Sequence, residues 1–114
     1  MPSADDAVLR ARALVLHDLT STRRADATVV SSLEDALETR HWWVSQWKEG
    51  LPYVAGLVAQ DIQDALMDRG RRWPECPHCE GPVHTLTIEP ELGGPDPVWV
   101  CDHAGLVIAS LGEL

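Results

Sequence analysis

The sequence contains no phenylalanine and a single tyrosine among its 114 residues, so five tryptophans must supply most of its bulky apolar surface. It also lacks any apolar run near the roughly 20 residues that a membrane-crossing helix needs. Asp5 and Asp6 stand where a cleavable leader would carry basic residues. These absences predict a soluble, cytoplasmic chain. Lysine and arginine are missing altogether from Trp73 to Leu114, a stretch holding Glu75, Glu80, Glu89, Glu91, Asp96, Asp102 and Glu113. A surface of that sign repels phosphate and gains nothing from counterion release, so direct nucleic-acid binding by the C-terminal third is disfavoured. Nor are there enough cysteines, three in all, for every one to find a disulfide partner.

What remains is a 45% hydrophobic chain with a formal charge of −9, enough for one structural unit. Ser3 and Asp6 have capping-box spacing, and Val8, Ala11, Leu14 and Val15 recur at helical intervals, predicting an amphipathic helix from Ser3 to about Leu19. A polar connection, Thr20 to Ala27, follows. Residues 28–50 carry two conflicting signals. Ser32 and Asp35 make a second capping box, with Leu33, Leu37, Val44 and Trp47 on one helical stripe. Thr28-Val29-Val30 and His41-Trp42-Trp43-Val44 instead have the β-branched and aromatic composition of short strands, and the balance is drawn toward a strand pair ending near Trp47. The Trp42, Trp43 and Trp47 group reads as core, with the alternative that one of them anchors an interface.

A helix from about Pro52 to Arg69 is the plainest element: Val54, Leu57, Val58, Ile62, Ala65 and Leu66 share a face, and Gly70 stops it. Gln60, Asp61, Gln63, Asp64 and Asp68 occupy the other face and read as solvated surface. Arg69, Arg71 and Arg72 form the one concentrated basic patch, read first as a helix terminator favoured by the dipole and second as a partner contact. Beyond it, Pro77, Pro82, Pro90, Pro95 and Pro97 punctuate a β-ribbon. Val83–Glu89 and Val98–Cys101 are its paired strands, Gly93-Gly94 lies in the turn, and Leu106–Ser110 is a third strand.

Cys76-Pro77-His78-Cys79 offers two thiolates from one tight loop, which is half of a tetrahedral zinc site. Cys101 is the remaining thiol. A hairpin centred between Leu92 and Gly93 would set His84 directly opposite Cys101, with His103 on the same face two residues on. Both histidines compete for the fourth position. His84 completes a Cys-x2-Cys-x4-His pattern and is preferred, whereas His78 inside the loop points away. Four protein ligands leave no open position for water, so the expected zinc is structural. The fold class expected is α+β: a helical or mixed core over residues 1–72, then a small zinc-ribbon-like β-hairpin module over 73–114.

The run Arg72-Trp73-Pro74-Glu75-Cys76-Pro77, His84, the strand Val98-Trp99-Val100-Cys101 and the ending Gly112-Glu113-Leu114 resemble small actinobacterial proteins of zinc-ribbon-like type, from about Gly56 onward. The resemblance implies Cys76, Cys79, His84 and Cys101 as ligands and brings no activity with it. Catalytic patterns are missing from the sequence. His41 is followed by Trp42 and Trp43 rather than the x-Glu of a zinc deaminase, and there is no phosphate-cradling glycine loop, His-Glu-x-x-His or serine elbow. The expected role is thus a non-enzymatic protein-interaction module or accessory subunit docking a basic partner. The alternative is a nucleic-acid-associated or transcription-related regulator, using Arg69, Arg71 and Arg72 and acting through a protein partner.

Overall fold

Helix α1 (Ala4–Ser21) starts where the Ser3–Asp6 box predicts. The computed structural model, which describes residues 3–92 and 94–114, shows both halves of the box. Asp6 N donates to Ser3 Oγ at 3.1 Å, and Ser3 N donates to Asp6 Oδ2 at 3.1 Å. Ala11, Val15, Asp18 and Leu19 are the buried stripe.

Residues 27–46 form a second helix, α2 (Ala27–Gln46), which corrects the expected strand pair. Its cap is Asp26, whose Oδ1 accepts from Val29 N at 2.9 Å. Ser32 lies inside the helix, donating to the Thr28 carbonyl. Val29, Leu33, Leu37 and Val44 are buried on one side. The helical reluctance of β-branched and aromatic residues is a few tenths of a kcal/mol each, whereas burying one such stripe residue is worth about 1.5–3 kcal/mol, so packing decides. The tryptophan group divides: Trp43 packs against the core, but Trp42 is 67% exposed and Trp47 46%, and the fully buried tryptophans are Trp73 and Trp99.

A 3₁₀ segment (Lys48–Tyr53) contains Pro52 and leads into α3 (Val54–Met67), the central helix, buried at Val54, Ala55, Gly56, Val58, Ala59, Ile62 and Leu66. Gly70 takes φ 73° and closes α3 by letting Arg71 N reach the Leu66 carbonyl at 2.9 Å. Its polar face is not uniformly solvated, as the sequence suggested. Asp61 receives both Arg40 Nε and an Arg40 terminal nitrogen at 2.8 Å. Gln60 donates to the Glu91 carbonyl, and Gln63 donates to the Trp73 and Leu86 carbonyls. Among the described residues, no helix is long and apolar enough to cross a membrane.

Strands β1 (Thr87–Glu89), β2 (Val98–Cys101) and β3 (Leu106–Ser110) make an antiparallel sheet in the order β1-β2-β3. Three helices followed by this sheet give the expected α+β class. The register differs from expectation: Thr87 faces Val100 and Ile88 faces Trp99, two residues away from a pairing of His84 with Cys101. Burying Ile88 beside Trp99 fixes that register, and the connection between Glu89 and Val98 has the bounds expected of it, with Gly93 outside the described residues. β1 is shorter than predicted because residues 84–86 turn aside to pair with 74–76. Glu75 bridges Thr85, Cys76 N donates to the His84 carbonyl at 2.9 Å, and Leu86 N donates to the Pro74 carbonyl at 2.8 Å.

Sheet and helices share one apolar core. Trp73 and Trp99 meet edge to face with centroids 5.3 Å apart, and each indole N–H finds an acceptor on or just beyond α1. Trp73 donates to Thr22 Oγ1 at 2.9 Å, and Trp99 donates to Asp18 Oδ2 at 2.8 Å. Asp18 is fully buried and also accepts from Gly112 N at 2.8 Å and Leu114 N at 3.0 Å, fastening the C-terminal segment to α1.

Candidate metal centre

After α3 ends, the buried Trp73-Pro74 pair anchors the chain, and the short 74–76/84–86 pairing carries Cys76 and His84 on adjacent strands. The loop between them brings Cys79 back beside Cys76. Cys101 arrives from the other direction as the last residue of β2, fully buried. A tight turn follows it, in which Gly105 at φ 67° donates its N–H to the Cys101 carbonyl at 2.8 Å. Ala104 N points at Cys101 Sγ from 3.4 Å.

One ligand atom from each of Cys76, Cys79, His84 and Cys101 lies within 4.8 Å of all the others. Cys79 Sγ and Cys101 Sγ are 3.5 Å apart. Metal–sulfur bonds of about 2.3 Å would set sulfurs on neighbouring tetrahedral corners about 3.8 Å apart, so the spacing suits a four-coordinate ion. His84 leaves the β1–β2 ladder and reaches Cys101 through its pairing with the Cys76 strand instead.

Electrostatics at the cluster point the same way. Burial works against ionising Cys76, but backbone N–H groups of Cys79 and His78, with the Cys101 and Cys79 thiols, bring its pKa below the usual thiol value. Cys79 moves the other way, to about 11, first because of its hydrogen bond with Cys101, then through burial and the neighbouring sulfurs' charge. Ionisation is eased at Cys76 and opposed at Cys79. Three thiolates at this separation need a cation among them to ionise together.

The histidine supplies the more specific sign. His84 Nδ1 lies 3.3 Å from the Thr85 carbonyl, a partner that calls for a proton on Nδ1. Nε2 is then the lone-pair nitrogen, and it is buried with no hydrogen-bond partner. A backbone carbonyl orienting one imidazole nitrogen while the other turns to an ion is the usual supporting arrangement of a metal-bound histidine. His103 is exposed, its ring centroid 6.0 Å from that of His84, and it is outside the four-residue set. His78 is exposed in the loop and is outside the set too.

The three arginines of the basic patch are engaged within the chain. Arg69 donates to Ser32 Oγ at 2.8 Å, Arg71 to Asp26 Oδ2 at 3.1 Å, and Arg72 to the Val83 carbonyl at 3.0 Å. They bind the end of α3 to the start of α2 and to the ribbon. Sequence reasoning missed Asp18, although an acid on the otherwise apolar Ala11-Val15-Leu19 stripe was its signal.

Compared with known proteins, residues 4–111 match the family described as Domain of unknown function (DUF8819). The chain belongs to the DUF8819 family. The matched span opens at the first residue of α1 and closes just beyond β3, so the family unit takes in the helices and the ribbon together. No curated protein and no solved structure matches the DUF8819 chain significantly.

Proposed function

We propose that Cys76, Cys79, His84 and Cys101 hold one structural zinc ion, and that this DUF8819 chain serves as a non-enzymatic protein-interaction module or accessory subunit. The observation that carries the metal half is the buried, unpartnered His84 Nε2 beside three thiols. An orphaned buried nitrogen costs about 1–3 kcal/mol, which an ion at that place would remove. Zinc is preferred because three thiolates and an imidazole are its usual structural donor set. With all four positions taken by protein, the ion has none left for substrate or activated water, which supports a scaffold reading over a hydrolytic one.

The interaction half rests on charge. The chain has 18 acidic residues against 9 basic ones, and the whole ribbon lacks lysine and arginine, so a positively charged protein is the better-matched partner than nucleic acid. Metal analysis of purified, chelator-washed protein tests the centre. One zinc per chain is expected in the wild type and in His103→Ala, and its loss is expected in His84→Ala. Retention of full zinc by His84→Ala would overturn the ligand assignment.

A further inference from the structure

The bundle has two ends. At one, the Arg71–Asp26 bond joins the end of α3 to the start of α2, beside the ribbon that Arg72 reaches at the Val83 carbonyl. At the other, His41 Nε2 lies 2.7 Å from Asp5 Oδ1, joining the last turns of α2 to the start of α1. Toward this second end, the outer face of α2 carries a shallow cleft of about 520 Å³ lined by Asp35, Glu38, Thr39 and Trp42. These positions fall at i, i+3, i+4 and i+7, so they form one continuous strip.

Trp42 is two-thirds exposed on this strip and has no aromatic partner among the described residues, whereas Trp43 and the half-exposed Trp47 do. Trp43 packs edge to face against Trp47 at 5.4 Å, and Trp47 stacks on Tyr53 at 6.1 Å. Asp35 and Glu38 are also unmatched. Elsewhere Glu34 pairs with Arg12, Asp61 with Arg40 and Asp26 with Arg71, but neither Asp35 nor Glu38 has an ion pair among the described residues. An open indole face with two free carboxylates, one and two helical turns before it, is complementary to guanidinium, which stacks on indole and bonds carboxylates in a planar fork.

We propose that this strip of α2 is a docking site for an extended basic segment of a protein partner, carrying two arginines separated by a single residue. In an extended chain, side chains two residues apart emerge on one side about 7 Å from each other. Along α2, Asp35 lies about 7–8 Å from the midpoint of Glu38 and Trp42, at 1.5 Å per residue. The first arginine lies over Trp42 and bonds Glu38, and the second bonds Asp35. Thr39 offers a hydroxyl between them. This assignment rests on reading the chain as an interaction module and gives that reading a surface and a partner chemistry.

The test uses the zinc-loaded full-length chain and a blocked Gly-Arg-Gly-Arg-Gly peptide, with a Gly-Glu-Gly-Glu-Gly control, followed by backbone and indole N–H resonances. Expected are saturable shifts confined to Trp42 and the 35–42 strip, weakening steeply with salt. The glutamate peptide should produce none. Trp42→Ala and Glu38→Gln should each weaken binding about five- to tenfold, with helix content and metal content unchanged because both side chains are exposed. Shifts clustered on the acidic ribbon instead would overturn this site while leaving the interaction reading standing. No shifts anywhere, with the peptide in the millimolar range, would overturn both.

Discussion

Asp18→Ala removes one buried carboxylate and with it the acceptor for the Trp99, Gly112 and Leu114 N–H groups, besides its 3.1 Å contact with the half-exposed His17 ring. The Trp99 indole is fully buried, so its N–H would stay without a partner, a cost of about 1–3 kcal/mol. Gly112 and Leu114 are half-buried and can turn to water, so their two bonds are worth about 1 kcal/mol each. Relief of the carboxylate's own desolvation offsets part of this, leaving an expected loss of about 3 kcal/mol. For a chain of this size that corresponds to a melting temperature lower by roughly 12 °C. Urea unfolding of Asp18→Ala, Trp99→Phe and the double variant isolates the indole bond, which should appear as a coupling of about 1–2 kcal/mol. A single-variant loss under about 1 kcal/mol, or strictly additive effects, would refute the idea that Asp18 fastens the ribbon to α1. The stakes reach the metal cluster, because Trp99 is two residues before Cys101 on the same face of β2.

Cys101→Ser should unfold the ribbon and lower the melting temperature sharply, since ion binding and folding of the module are one free energy; an unchanged melting curve in zinc-replete buffer would contradict that coupling. Asp26 has its pKa held below the ordinary carboxylate value, first by the Val29 N–H and then by Arg71. A depressed folded-state pKa gives stability that is present above the unfolded value of about 3.9 and lost as pH falls through the folded one. Asp26→Asn should keep a capping oxygen yet flatten the acid limb of the stability profile below about pH 4, and overlapping profiles for the two proteins would count against the assignment.

What could be read from the sequence was what is settled locally. The Ser3–Asp6 box, the α3 apolar face with its Gly70 stop, and the strand Val98–Cys101 depend on neighbours within a few residues. The pattern Cys-x2-Cys-x4-His likewise pointed to His84, which the folded chain gathers with Cys76, Cys79 and Cys101 while His103 stays outside. Distant partners decided the rest. Thr28-Val29-Val30 looks like a strand until Val29 and Leu33 are buried in the core that α2 shares with α1 and α3. The hairpin register turned on Ile88 packing beside Trp99, which turn composition alone does not encode. An acid on the apolar stripe of α1 marks Asp18 as unusual, but not what it anchors, because its donors are Trp99, Gly112 and Leu114, 81 to 96 residues away. Nor does a tryptophan run say which member faces water; the difference between Trp42 and Trp43 is a 100° step around a helix.

The sorting of the tryptophans has an optical consequence. Trp73 and Trp99 sit in a dry interior within a few residues of Cys76 and Cys101, whereas Trp42 looks into solvent toward the other end of the helical bundle. Interior indoles emit at shorter wavelength than hydrated ones, and nearby thiolates quench them until a closed-shell ion such as zinc ties up their electron pairs. Loading of the ion would therefore be written in the blue part of the emission, and occupancy of the α2 strip in the red part. A single unlabelled sample would report both ends of the protein at once.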